Sequence, residues 1–554
     1  MIRPILETAR DCGLTEEQIV PYGRDKAKIT LAAVEALRAR PPGRLILVTG
    51  MSPTPAGEGK TVTTLGLADG LRRIGARAAA CIREPSLGPT LGMKGGGAGG
   101  GRAQAHPSTD VNLHFTGDSH AVAAAHNLLA ALAEAHIHHG NQAGFDPHGV
   151  LWNRVLDLTD RSLRRVITGL GGRANGTPRE TGFMITAASE VMALLALCSG
   201  LDDLRRRLGD IVVGLSRDGQ PITAEQLGAA GAMAALLRDA VQPNLIQTLE
   251  GTPVFVHTGP FGNLATGCNS VLADQAALGA VDYVATEAGF GADLGFEKFC
   301  HIATPQLGRG PDAVVVVATV RALKAHSGRI RLAPGRPLPP ELGQEDLEAV
   351  RLGAANLQAH LRIVARFGLP ALVAINRFPT DTADEIGLAR SLALETGATD
   401  VAVSDAYARG GEGAVDLASR VRALCDSAPA RFRPLYEPET PLLKKIGTVA
   451  KCVYGAAGVS YGAGVRTRLR DFERWGHGRL PVCFAKTQYS LSHDPDLLGA
   501  PTGFTLPIAA VELAAGAGFV RALCGEILTM PGFPATPAAF RIDVDSRGEI
   551  VGVG

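Results

Sequence analysis

The strongest constraint on the fold is a series of short, uniformly apolar runs, at residues 45–49, 78–82, 183–187, 211–215, 254–257, 283–286, 314–320, 371–375 and 401–404, separated by segments of helical period. A strand with one wet face alternates apolar and polar side chains; a strand covered on both faces does not. The alternation of such runs with helices predicts an α/β protein, doubly wound around a mainly parallel sheet. In such sheets ligands gather at the C-terminal ends of the strands. The segments that follow these runs are unusual: TGMSPTPAGEGKT, REPSLGP, HTGPFGN, TEAGFGAD, INRFPTD and SDAYARGGEG. They are expected to converge on one cleft.

The first of these segments is the most informative. Thr54-Pro55-Ala56-Gly57-Glu58-Gly59-Lys60-Thr61 follows a strand and opens the helix VTTLGLADGLRRIG. Backbone N–H groups of such a loop point at phosphate oxygens, and the helix N-terminus adds partial positive charge. In that context Lys60 offsets charge on the β- and γ-phosphates, and the Thr61 hydroxyl is a ligand for Mg²⁺ bound with ATP. The usual first glycine of the pattern is Thr54 here. The fold expectation sharpens to a P-loop NTPase-like sheet; the loop alone says only that ATP or GTP is used. The second run ends at Arg83, a guanidinium placed to clamp a carboxylate or a transferred phosphoryl group, with a structural ion pair as the alternative use. Met93, Lys94 and the glycine run 95–101 follow, read as a mobile lid, a close backbone approach to ligand, or an idle loop.

At 554 residues the chain exceeds one ordinary core. The expected units are a large P-loop nucleotide-binding domain at 1–360, a second α/β domain at 361–445 and a C-terminal domain at 446–554, the last two smaller. Residues 329–348 read as an exposed excursion and 430–445 as a linker. Lys and Arg total 55 against 54 for Asp and Glu, so no general attraction to nucleic acid or an anionic membrane is expected. Nine cysteines without a CxxC pair suit a reducing compartment. The charged start MIRPILETARDCGLTEEQ and the lack of a run of about 18 apolar residues point to a soluble, cytoplasmic protein.

Taken together, TPAGEGKT, REPSLGPTLGMKGGGAGGG, DVNLHFTGDSHAV, HIHHGN, FVHTGPFGN, TEAGFGADLGFEKF, INRFPTDT, ARGGEGA and LPVCFAKTQYSLSHDP followed by GAPTGFTLPI resemble the formate–tetrahydrofolate ligase family, from near residue 20 to near 540. The resemblance implies a three-part α/β protein, usually a homotetramer. It implies conversion of formate, ATP and tetrahydrofolate to 10-formyltetrahydrofolate, ADP and phosphate through formyl phosphate, with Mg²⁺ and often a stimulating monovalent cation. Lys60 and Arg83 would be the catalytic residues. Phe290 and Pro379 look like the faces that enclose adenine, and Phe378 and Tyr407 like the pair that stacks on the pterin. No base for the amine proton is assigned. His114 and His120 read as structural; Glu287, Asp293 and Asp381 could hold water or metal, or serve as solvated or capping carboxylates.

Three positions depart from the family pattern: Tyr407 stands where Trp is expected, Thr266 where His is expected and Arg102 where Tyr is expected. A nucleotide-driven switch ATPase, a ligase for another small carboxylate and a family member retaining only binding are the competing readings. Intact Lys60, Thr61 and Arg83 argue against the last.

Overall fold

The computed structural model describes residues 2–92, 96–333, 336–427 and 430–553. Its centre is one large mixed sheet. In chain order its strands are β1 (Ile19–Pro21), β2 (Ala27–Ile29), β3 (Arg44–Gly50), β4 (Ala78–Ile82), β5 (Ala103–His106), β6 (Asn244–Thr248), β7 (Pro253–Val256), β8 (Tyr283–Glu287), β9 (Ala313–Ala318), β10 (Ala371–Asn376) and β11 (Asp400–Ser404). Across the sheet they run β1-β2-β6-β7-β4-β8-β3-β9-β10-β11, with β5 beside β6 and a two-residue strand, Gly99–Gly100, beside β5. Strands β7 to β11 in that spatial order are all parallel to one another, whereas β6 pairs antiparallel with both β7 and β2.

The apolar runs split by their period of two. Ile46 and Val48 of β3, with Val315 and Val317 of β9, pack against Leu67 and Leu71 of α1 (Lys60–Arg73). Leu417 and Val421 of α4 (Val415–Ser427) complete that layer. Leu45 and Leu47, with Val314 and Val316, face the other way, onto α2 (Val271–Ala280) and α3 (Leu347–Arg366). Helices therefore cover both faces, as uniform apolarity requires. Helix α3 runs unbroken through residue 360, and β10 and β11 continue the same sheet.

Two expected runs lie elsewhere. Phe183–Ile185 pairs with Arg154–Leu156, and Val212–Ser216 joins Phe145–Val150 and Pro221–Thr223 in a small antiparallel sheet. Apolar runs report burial, not which sheet provides it. The run at 314–320 ends at Ala318, because the Thr319 side chain accepts the Ala322 N–H at 3.0 Å and caps a helix, Val320–His326. Downstream, a smaller α/β region holds a parallel pair, Gly458–Tyr461 with Thr505–Ile508, and a three-stranded sheet of Val482–Ala485, Phe519–Leu523 and Ala510–Ala514. No helix among the described residues is long and apolar enough to cross a membrane.

Candidate active site

Sheet order decides which side chains meet. Strand β8 lies between β3 and β4, so its last residue, Glu287, emerges between the loop after β3 and the start of the loop after β4. There the Thr61 hydroxyl donates to Glu287 Oε2 at 2.7 Å, and the backbone N–H of Arg83 points at Oε1 at 3.5 Å. Three loops far apart in sequence thus share one carboxylate. Glu287, left open by the sequence between metal binding and capping, is the bridge.

The loop after β3 is held by its own residues. The Thr54 N–H and hydroxyl both donate to Glu58 Oε1, at 2.7 and 3.0 Å, and the buried Glu58 side chain turns inward across the loop. Burial pushes the Glu58 carboxyl up, with Lys60 opposing that shift. Lys60, the first residue of α1, keeps its ammonium 4.0 Å from Glu58 Oε2. Gly59 enters the helix at φ +71°, and a Cβ there would stand 2.3 Å from Asn376 Nδ2. That amide, at the end of β10, donates to the Glu58 carbonyl at 3.0 Å. Sequence reasoning assigned no role to Asn376; its place at a strand end within INRFP was the available signal.

Arg83 makes no ion pair among the described residues, and its buried Nε has no hydrogen-bond partner. Its guanidinium lies along Gly289, where a Cβ would come within 3.0 Å of Nη1. The alternative of a structural pair with Glu84 is not what the geometry shows. Glu84 instead accepts from the Ser119 hydroxyl at 3.3 Å, and burial together with Asp118 pushes its carboxyl well up.

Phe290 occupies the left-handed region at φ +62°, a strained setting for an aromatic, with its ring edge against Gly262. Phe378 and the exposed Pro379 are neighbours in the turn after β10. Asp381 folds back into that turn, accepting the Phe378 N–H at 2.8 Å, so it serves as a local cap. The Arg321 guanidinium covers one face of the Phe378 ring at 4.0 Å. Tyr407, 58% exposed, follows β11 and backs onto the glycine run: a Cβ on Gly101 would stand 2.2 Å from its carbonyl oxygen. Arg102 is exposed, and its N–H donates to the same carbonyl at 2.8 Å.

The described part of the glycine run is packed closely. Gly97 N–H donates to Asn112 Oδ1 at 2.8 Å, and a side chain at Gly96 would overlap Asn112. Met93, Lys94 and Gly95 lie outside the described residues. Thr266 is fully buried, and its hydroxyl has no partner among the described residues. Asp293 is fully buried beside Lys486, and His114 and His120 are exposed without side-chain hydrogen bonds among the described residues.

The formate–tetrahydrofolate ligase family model matches residues 1–554. The chain is similar to the formate–tetrahydrofolate ligase of Roseiflexus sp. (strain RS-1), 56% identical over 552 residues that cover 100% of this chain and 98% of the relative. The Saccharopolyspora erythraea ligase is 54% identical over 552 residues, covering 100% and 97%. That of Paracoccus denitrificans is 56% identical over 550 residues, covering 99% and 97%. With strand-end loops that place Lys60, Thr61, Arg83 and Glu287 in one cluster and with matches along its whole length, the chain belongs to the formate–tetrahydrofolate ligase family.

Proposed function

We propose a division of labour among the strand ends for the reaction of this family, the ATP-dependent ligation of formate to tetrahydrofolate in one-carbon metabolism. The sheet works as in P-loop NTPases, with the backbone of residues 54–61 around the phosphates of ATP. Glu58 braces that loop from within. Lys60 offsets charge on the γ-phosphoryl group as formate attacks it in line. Mg²⁺ carried in by the nucleotide would be met by Thr61, whose hydroxyl lies beside Glu287. When bound, Mg²⁺ neutralises phosphate charge.

Arg83 holds the formate carboxylate and then the formyl phosphate; its unpartnered Nε is the kind of donor an anion completes. The folate amine then attacks the formyl carbon, and phosphate leaves with the carboxylate oxygen it received. Phe290 and Pro379 enclose adenine. Phe378 and Tyr407 stack on the pterin, and because Arg321 already covers one face of Phe378, the pterin takes the other. The units 1–360, 361–445 and 446–554 then contribute the phosphate loop with Arg83 and Phe290, the folate aromatics, and a supporting segment. A homotetramer, a stimulating monovalent cation and a cytoplasmic setting belong to the same reading.

The observation that carries this reading is the Glu287 carboxylate between the Thr61 hydroxyl and the Arg83 backbone N–H. Its test is isotopic. With ¹⁸O-labelled formate, one formate oxygen must appear in the released phosphate in step with formylated folate; unlabelled phosphate would rule out formyl phosphate. Acetate competing well with formate would move the substrate assignment to another carboxylate.

A further inference from the structure

Ahead of Thr54, the phosphate loop begins with Ser52, which is fully buried. Its N–H donates to Asn356 Oδ1 at 3.0 Å, and its carbonyl accepts from His326 Nε2 at 2.9 Å. Its hydroxyl meets His360 Nε2 and Asn356 Nδ2, each at 3.0 Å. Both partners come from α3. On the other edge of the same imidazole, the Ala292 N–H donates to Nδ1 at 3.1 Å. Nδ1 therefore carries the lone pair, the ring proton sits on Nε2, and Nε2–H donates to Ser52 Oγ. Burial holds this imidazole neutral, pulling it down to about 4.

Ala292 follows the turn that carries Phe290. Between them Gly291 leaves no room for a side chain, since a Cβ would stand 2.7 Å from His360 Cε1. The next residue, Asp293, has its carboxylate 2.7 Å from Lys486 Nζ, with both side chains fully buried. The ammonium also donates to the Thr487 and Ser490 carbonyls. One rigid ring thus ties two loops, and the C-terminal region pins one of them.

We infer that His360 is a positioning residue that fixes the phosphate loop and the Phe290 turn at one spacing, bonded to Ser52 on one edge and Ala292 on the other, with Asn356 and the Asp293–Lys486 pair as supports. The inference rests on the reading that these two loops hold the phosphates and the base of ATP. A nucleotide that spans both gains affinity when their separation is set in advance, because the cost of ordering them on binding is removed.

The two ring nitrogens can be tested apart. In His360→Asn, Oδ1 replaces Nδ1 and keeps the Ala292 bond, while the donation to Ser52 is lost. In His360→Gln, the longer amide replaces Nε2 and keeps the Ser52 bond, while Ala292 N–H is left unmet. Each lost buried hydrogen bond should raise the KM for ATP about 10-fold. The KM values for formate and tetrahydrofolate, and kcat, should change by less than about threefold. Preference for ATP over GTP should fall only in the Gln variant. Ser52→Ala, which removes the hydroxyl shared by His360 and Asn356, should raise the ATP KM at least as much as the Asn variant, again without changing base preference, and serves if either His360 variant fails to fold. Folded variants with unaltered ATP KM and unaltered base preference would overturn the inference. Wild-type protein that fails to bind Mg-ATP would instead overturn the reading beneath it.

Discussion

Two buried polar clusters in this molecule differ in one respect. Around His126, in helix Asp118–His138, every polar group is met: Nδ1 pairs with Ser189 Oγ at 2.8 Å, Nε2 with the Asn153 carbonyl at 2.9 Å, and the ring stacks on Trp152 at 4.1 Å. Nearby, Asn127 and the Val155 backbone exchange two hydrogen bonds, at 2.9 and 3.0 Å. At the strand ends the opposite holds. Arg83 Nε, Glu84 Oε2, Asn376 Oδ1 and Thr266 Oγ1 are buried without partners among the described residues. Leaving such an atom unmet costs about 1–3 kcal/mol. A bound ligand can complete the bonding of such an atom; buried polar atoms without partners among the described residues also occur away from the strand ends, at Tyr454 and Trp475.

The comparison breaks most visibly at Lys60. Lys60→Ala should lower kcat by on the order of 10²–10³-fold, with a thermal midpoint close to that of the wild type. His126→Ala should do the reverse: a loss of about 2–6 kcal/mol in denaturant unfolding, from two unmet partners and a lost stack, with KM values unchanged. Equal effects of both substitutions on activity and stability would erase the distinction.

Acid should sharpen the same contrast. Burial pulls the His126 imidazole down to about 3, below its unfolded value near 6.5. Between those values the unfolded chain binds a proton that the folded chain refuses, so this group's contribution is present above about pH 6.5 and is lost as pH falls toward 3. Relative to His126→Gln, wild type should lose about 1.4 kcal/mol per pH unit in that window. Parallel unfolding free energies from pH 7 to 5 would show that the ring is not held neutral.

Smaller effects belong to the site's periphery. Glu287→Gln keeps a hydrogen-bond acceptor for Thr61 but removes charge, and should raise the Mg²⁺ concentration for half-maximal rate about 10-fold. Tyr407→Trp enlarges an aromatic that is more than half exposed and should lower the tetrahydrofolate KM about two- to threefold. An unchanged KM would detach Tyr407 from the pterin.

What could be read in the sequence follows the same division. Strands buried on both faces announced themselves through uniformly apolar runs, rich in valine, leucine and isoleucine at β3 and β9 and in alanine at β4. Strand β6 did not, because Asn244, Gln247 and Thr248 are buried there as polar residues, each with a specific distant partner such as Asp118 for Asn244 and Asp69 for Thr248. The strand-to-helix loop at 54–61 was legible because its backbone demands glycine, Gly59 entering the helix at φ +71°. The inward turn of Glu58 depends on no pattern, and Asn376, which binds its carbonyl, lies 318 residues away. The pairing of Asp293 with Lys486 likewise joins segments that only the completed fold brings together.

The most direct test of the account is release of ADP by the purified protein with Mg²⁺, followed together with formylated folate, in wild type and Arg83→Ala. The two products should appear in step, require both formate and tetrahydrofolate, and fall by on the order of 10²–10³-fold in the variant. ADP released without either substrate, or at an undiminished rate in Arg83→Ala, would contradict it.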